Sequence, residues 1–131
     1  MGSTRLPGKS TMGLAGAPLV GRILERVKRT KRVNEIVLAT SDQSKDNILE
    51  DLANEYHVSC FRGSEDDLVD RYYQAAKYYQ ADVILRLPAD NTCPEPGEYD
   101  RLIGYHLSST NDFSSNICNF MGNGYPDGIG V

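Results

Sequence analysis

The chain is poor in the groups from which metal cages and nucleophilic sites are most often built. Its 131 residues hold three cysteines and two histidines. Cys60, Cys93 and Cys118 stand far apart with no Cys-x-x-Cys pair. That excludes a zinc or dithiol motif and fits a reducing, cytoplasmic compartment. His57 and His106 have no partner at catalytic spacing, so neither is a general-base candidate. No apolar run approaches the roughly 20 residues that a membrane span requires, and no signal peptide is expected, since the residues after Met1 carry no apolar core. Repeats and low-complexity segments are absent too. An excess of positive charge is also missing: 14 Lys and Arg face 18 Asp and Glu, a formal net charge of −4. That balance argues against a nucleic-acid partner, which would want a basic face. Arg22, Arg26, Lys28, Arg29, Lys31 and Arg32 do cluster, but their helical spacing reads as one solvated face. The length predicts a single domain, residues 1–131, with a moderate core.

What the chain does have is concentrated at its start. Gly2-Ser3-Thr4-Arg5-Leu6-Pro7-Gly8-Lys9 packs two glycines, two hydroxyls and two cations into eight positions with no apolar run. Glycine lets the backbone approach a ligand closely, so amide N–H groups can converge on an anion. Arg5 and Lys9 add the fixed and the mobile cation that a polyphosphate requires. The segment reads as a phosphate cradle. Ser3 to Ser10 also comes within one substitution of a Walker-type loop, the signature of a phosphate-hydrolysing NTPase. Ser3 in place of Gly, Pro7 in the cradle and the lack of a strand-ending Walker-type Asp count against that alternative.

Helical and strand periodicities alternate along the rest of the chain. Pro18 opens a helix carrying Leu19, Val20, Ile23, Leu24 and Val27. Residues 35–40 read as a buried strand. A helix from about Lys45 carries Ile48, Leu49, Leu52, Ala53 and Tyr56, with Ser44 as its cap. Residues 58–61 are the next strand. Ser64 and Asp67 resemble a capping box that opens a helix with the stripe Leu68, Val69, Tyr72, Tyr73, Ala76 and Tyr79. Residues 83–87 read as a strand, and Pro96 with Leu102, Ile103 and Leu107 marks a fourth helix. Such alternation predicts a three-layer α/β/α fold with a mostly parallel sheet. Ligands in such folds sit beyond the carboxyl ends of the strands. That rule selects three polar loops, at residues 40–42, 62–66 and 88–91. A phosphate loop normally follows a first strand, yet here it begins at Met1, and no closing helix precedes Val131. The sequence therefore reads as a piece of a larger domain, without its first strand and its C-terminal part.

Four segments in register carry a resemblance. Residues 2–9, Ala39-Thr40-Ser41-Asp42, the block from Phe61 to Tyr72, and Arg86-Leu87-Pro88-Ala89-Asp90 are similar to motifs of the sugar cytidylyltransferases. Tyr125-Pro126-Asp127-Gly128 extends the likeness over nearly the whole chain. The acylneuraminate and deoxy-octulosonate enzymes belong to this family, and the spore-coat polysaccharide branch matches best. The resemblance implies a nucleotide-diphospho-sugar-transferase-like α/β domain. Its implied activity is transfer of CMP from CTP to a small sugar, with release of pyrophosphate, for surface polysaccharide synthesis. Mg²⁺ is the implied cofactor and a homodimer an implied assembly.

By the same resemblance, Lys9 and Arg5 act on the triphosphate, and the backbone of Gly2, Ser3 and Thr4 completes the nest. Arg62 and Arg86 stand at the nucleotide, and Asp90 is the metal ligand. Asp127 is either a second ligand or an ordinary Pro-Asp-Gly turn. Asp42 is either a substrate or metal contact or part of a helix entry. Asp66, Asp70 and Arg71 form an ion-pair network. The sequence departs from the family where Gly130 replaces a common acidic residue and where no arginine precedes Gly2. Those departures leave a truncated, non-catalytic nucleotide-binding fragment as the alternative to an active enzyme.

Overall fold

The computed structural model describes residues 8–91 and 93–116. Two short strands, β1 (Gly13–Leu14) and β2 (Ala17–Pro18), form a small antiparallel hairpin. Helix α1 spans Leu19–Val27, strand β3 Val37–Ser41 and helix α2 Asn47–Glu55. Strand β4 follows at Ser59–Gly63, then α3 at Leu68–Tyr79 and α4 at Pro96–Ser108. One-turn 3₁₀ segments stand at Lys9–Thr11 and Ser44–Asp46.

Helix α1 is the centre of the packing because its apolar residues fall in two adjacent rows. Leu19, Ile23 and Val27, each four apart, meet Tyr99 and Leu102 of α4. Val20 and Leu24 meet Leu49 and Leu52 of α2, and Ile36 touches both groups. The i, i+4 spacing that made the helix legible also aims each row at a different neighbour.

Beside the Val20 and Leu24 row, Gly21 is buried beneath the ring of Tyr56. A Cβ added there would collide with the Tyr56 hydroxyl and with its ring carbon Cζ. Gly21→Ala would gain about 1 kcal/mol of helix propensity but force a side chain into filled space. Overpacking of that kind costs about 1–3 kcal/mol, so the variant is expected to be less stable. Urea unfolding of Gly21→Ala beside Gly21→Ala/Tyr56→Leu checks this, because the smaller partner should restore the midpoint.

The β3–α2–β4 unit forms a parallel pair with Val37 opposite Ser59 and Ser41 opposite Gly63. The Asp42 N–H donates to the Gly63 carbonyl at 2.9 Å, carrying the pairing one residue past the strand. The chain then turns into α2 at the carboxyl edge of the sheet.

Three expectations are corrected. Residues 83–87 form no strand: Arg86 alone makes an isolated bridge, while Leu85 and Leu87 pack on the α1–α4 cluster. A strand exists only through a run of hydrogen-bonded pairing, and among the described residues this segment has the single bridge at Arg86 and no longer ladder. The α3 stripe holds only in part: Tyr72, Ala76 and Tyr79 are half-buried, whereas Leu68, Val69 and Tyr73 are exposed and Ala75, outside the expected stripe, is buried. The inward row is Arg71, Ala75 and Tyr79, with the Tyr79 hydroxyl donating to the Cys60 carbonyl at 3.0 Å. Leu107 of α4 is likewise exposed, and Tyr99 takes the central place in that helix's buried row.

Candidate active site

Lys9 enters the site from a tight turn. Gly8 sits at φ 72°, a left-handed conformation that glycine adopts without a steric penalty. Its carbonyl accepts from both the Thr11 N–H (3.0 Å) and the Thr11 hydroxyl (2.9 Å). The segment is then tied to α1, because the Leu19 N–H donates to the Met12 carbonyl at 2.8 Å. Arg22 of α1 holds the hairpin beyond it: Nε donates to the Leu14 carbonyl at 3.2 Å and Nη2 to that of Ala15.

Asp90 approaches from the other side, on a turn closed by the Asn91 N–H to the Pro88 carbonyl at 3.2 Å. Beyond the turn, Arg26 of α1 donates through Nε to the carbonyl of the buried Pro94 at 2.7 Å. Its Nη2 reaches Glu95 Oε2 at 3.4 Å. Arg22 and Arg26, four residues apart, thus hold the two flanks of the site. The sequence reading placed both on a solvated face; the structure gives them backbone carbonyls to bind.

These two supports bring Lys9 Nζ to 2.8 Å from Asp90 Oδ2, across 81 residues of sequence. The Lys9 side chain is 34% exposed and that of Asp90 55%, so the pair opens to solvent and to a ligand. The Lys9 hydrogen bond and charge hold the Asp90 carboxyl below its ordinary range against a modest desolvation, and the charge of Arg86 adds to this. Asp90 is therefore an anion facing two cations, Lys9 in contact and Arg86 at longer range.

The carboxyl edge of β3 and β4 is braced by Arg62. Nε donates to the Ser41 carbonyl (3.1 Å), Nη2 to the Gln43 carbonyl (2.7 Å), and Nη1 to Asn47 Oδ1 (2.7 Å) and Glu50 Oε2 (2.8 Å). Four of its five N–H groups are engaged by the protein. Asp46, only 2% exposed, accepts from the Ser41 hydroxyl at 2.6 Å and from that of Thr40 at 3.3 Å. Burial pushes its carboxyl upward, yet the Ser41 hydrogen bond and further donors outweigh this and hold it below its ordinary value. Asp42 is exposed and accepts from Gln43 Nε2 at 3.1 Å.

The ion-pair network expected of Asp66, Asp70 and Arg71 gives way to bonds that involve the backbone. Ser64 Oγ accepts from the Asp67 N–H (2.9 Å), and Asp67 Oδ1 caps α3 through the Asp70 N–H (2.8 Å). Arg71 Nη1 donates to the Ser64 carbonyl at 2.7 Å. Short polar side chains beside a helix start find backbone N–H groups more readily than they find each other.

Gly2, Ser3, Thr4, Arg5 and Asp127 lie outside the described residues, as does Cys118. Among the described residues no group of three or more His, Cys, Asp or Glu side chains could hold a metal. Nor is any helix among them long and apolar enough to cross a membrane. Sequence reasoning included Asn91 only as part of the loop at 88–91, with no role of its own, and missed Tyr99 and Asp46. No spacing rule marks them, because each matters through burial beside a partner that only the fold supplies.

A family model described as Cytidylyltransferase matches residues 1–124. An uncharacterized protein of Methanocaldococcus jannaschii is 37% identical over 114 residues, covering 87% of this chain and 47% of that protein. The spore coat polysaccharide biosynthesis protein SpsF of Bacillus subtilis is 35% identical over 118 residues, 87% of this chain and 49% of its own length. A solved cytidylyltransferase from Leptospira borgpetersenii matches with a TM-score of 0.87 and 32% identity, covering 100% of this chain and 56% of that one. The chain thus spans about half the length of the relatives it matches.

Proposed function

The chain belongs to the cytidylyltransferase family, and we propose that it binds CTP at the Lys9–Asp90 edge for transfer of CMP to a sugar or sugar acid. The observation that carries this reading is the 2.8 Å approach of Lys9 to Asp90. A mobile cation and an exposed carboxylate from distant parts of the chain meet where the resemblance puts a triphosphate and its metal. Family membership and fold likeness also remove the Walker-type alternative.

In this reading an oxygen of the sugar attacks the α-phosphorus of CTP. The bond from that phosphorus to the bridging oxygen breaks, and pyrophosphate leaves. Little covalent help is required, so the protein positions the groups and neutralises charge. Lys9 moves from Asp90 to the phosphates and bears the charge of the leaving pyrophosphate, with Arg5 beside it. The backbone of Gly2, Ser3 and Thr4 completes the anion nest. Arg86 supplies longer-range positive charge. Arg62 shapes the β3–α2 loop and keeps one N–H for the nucleotide.

Mg²⁺ is the metal proposed, with Asp90 as its protein ligand. A hard cation that keeps most of its coordination for water and phosphate oxygens needs only one or two carboxylates. The ionised, exposed Asp90 fits that demand without a cage. When bound, the metal would polarise the α-phosphate and offset charge on the triphosphate.

Calorimetric titration of the chain tests the reading. CTP with Mg²⁺ should bind, and ATP should bind more weakly under the same conditions. Absence of any heat with CTP would remove the nucleotide from this edge.

A further inference from the structure

The geometry points to Asn91 as a positioning residue for Asp90, anchored through the buried Tyr99 of α4. It rests on the reading of Asp90 as the metal-facing carboxylate and adds what holds that carboxylate in place.

Asn91 is 3% exposed, whereas Asp90 before it and Cys93 beyond it are exposed. Burying a side-chain amide costs about 1–3 kcal/mol unless its polar atoms are bonded. Here they are. Nδ2 donates to the Tyr99 hydroxyl at 3.4 Å, and Oδ1 accepts from the Cys93 N–H at 3.0 Å. Its own N–H closes the turn onto the Pro88 carbonyl at 3.2 Å. One residue thereby ties the chain before Asp90, the chain after it and the core.

Tyr99 is a firm anchor. It is 0% exposed and packs with Leu19, Ile23 and Val27 of α1 and Leu102 of α4. An Asp side chain has only two rotatable bonds, so its backbone position decides where its oxygens reach. A carboxylate that must share a cation with a phosphate has to be held to within about 0.5 Å. Asp90 is exposed, and its carboxylate pairs with Lys9 at the surface. Its placement is inherited from the next residue.

The test uses Asn91→Leu, which keeps the branched heavy-atom skeleton and removes both side-chain bonds, and Tyr99→Phe, which removes only the anchor hydroxyl. Mn²⁺ affinity is measured by electron paramagnetic resonance at saturating CTP, CTP affinity is measured in EDTA, and Cys93 amide exchange is measured without ligands. Partners that orient a metal ligand are typically worth about 10- to 100-fold in affinity. Asn91→Leu is expected to weaken Mn²⁺ binding by about tenfold, with CTP affinity in EDTA unchanged and Cys93 exchange faster. Tyr99→Phe should move the same readouts in the same direction by less, and it serves if Asn91→Leu does not fold. Loss of thermal stability alone, with Mn²⁺ affinity intact in both variants, overturns the inference. Mn²⁺ affinity that survives Asp90→Asn overturns instead the assignment of Asp90, a separable result.

Discussion

Lys9→Met is expected to weaken CTP binding and to strengthen metal binding in the absence of nucleotide, two effects of opposite sign from one substitution. Methionine keeps the unbranched stem and deletes the charge. Hydrogen bonds to charged groups contribute about 1.5–3 kcal/mol each, so the affinity for CTP should fall about 10- to 100-fold. Without nucleotide, however, the Lys9 ammonium already neutralises Asp90 at 2.8 Å. Removing it leaves the carboxylate free for a divalent cation. Exposed ion pairs contribute no more than about 1 kcal/mol, so the gain in Mn²⁺ affinity should be about two- to fivefold. Calorimetry with CTP and spin-resonance titration with Mn²⁺ alone read the two effects. Unchanged CTP affinity would take Lys9 out of the site. A fall in both affinities would mean that the variant had lost its local structure.

Asp90→Asn is the complementary experiment. The amide has nearly the shape of the carboxylate but no charge, so the metal loses its ligand while the turn survives. The wild-type chain should bind CTP much more tightly with Mg²⁺ than with EDTA, and the variant should bind it equally in both. In EDTA the variant should match or exceed the wild type, because Lys9 is no longer held by Asp90. The lost ion pair is exposed, so the melting temperature should move little. Retained Mg²⁺ dependence would place the metal on other residues.

The two substitutions should also be coupled. Lys9 and Asp90 are in contact, and effects of contacting residues do not add. In the double variant, much of the gain in metal affinity seen with Lys9→Met should vanish, since the carboxylate it released is no longer there.

Much of this molecule was legible in its sequence. Leu19, Ile23 and Val27 announce α1 because 3.6-residue periodicity is a property of the chain itself, and Pro96 announces the start of α4 for the same local reason. β3 and β4 were found within about two residues, since an apolar run flanked by turn signals has few other solutions. Residues 83–87 carry the same kind of run and form no strand, because pairing depends on a neighbour. The α3 stripe held only in part, for a different reason. Its tyrosines are spread over several faces, so local pattern gave no unique inward row, and the bonds of Arg71 to Ser64 and of Tyr79 to Cys60 selected one.

At the site, the chemistry proposed for Lys9 and Asp90 rests on residue types and motif order, because a cation in a glycine-flanked turn and a carboxylate past an apolar run are local features. The family followed from those motifs too. That the two meet at 2.8 Å, that Arg22 and Arg26 brace them from one helix, and that Asn91 hangs its turn from Tyr99 were decided only by tertiary structure. Contacts across some 81 residues depend on how separate elements pack, and packing is a property of the whole chain rather than of any window along it.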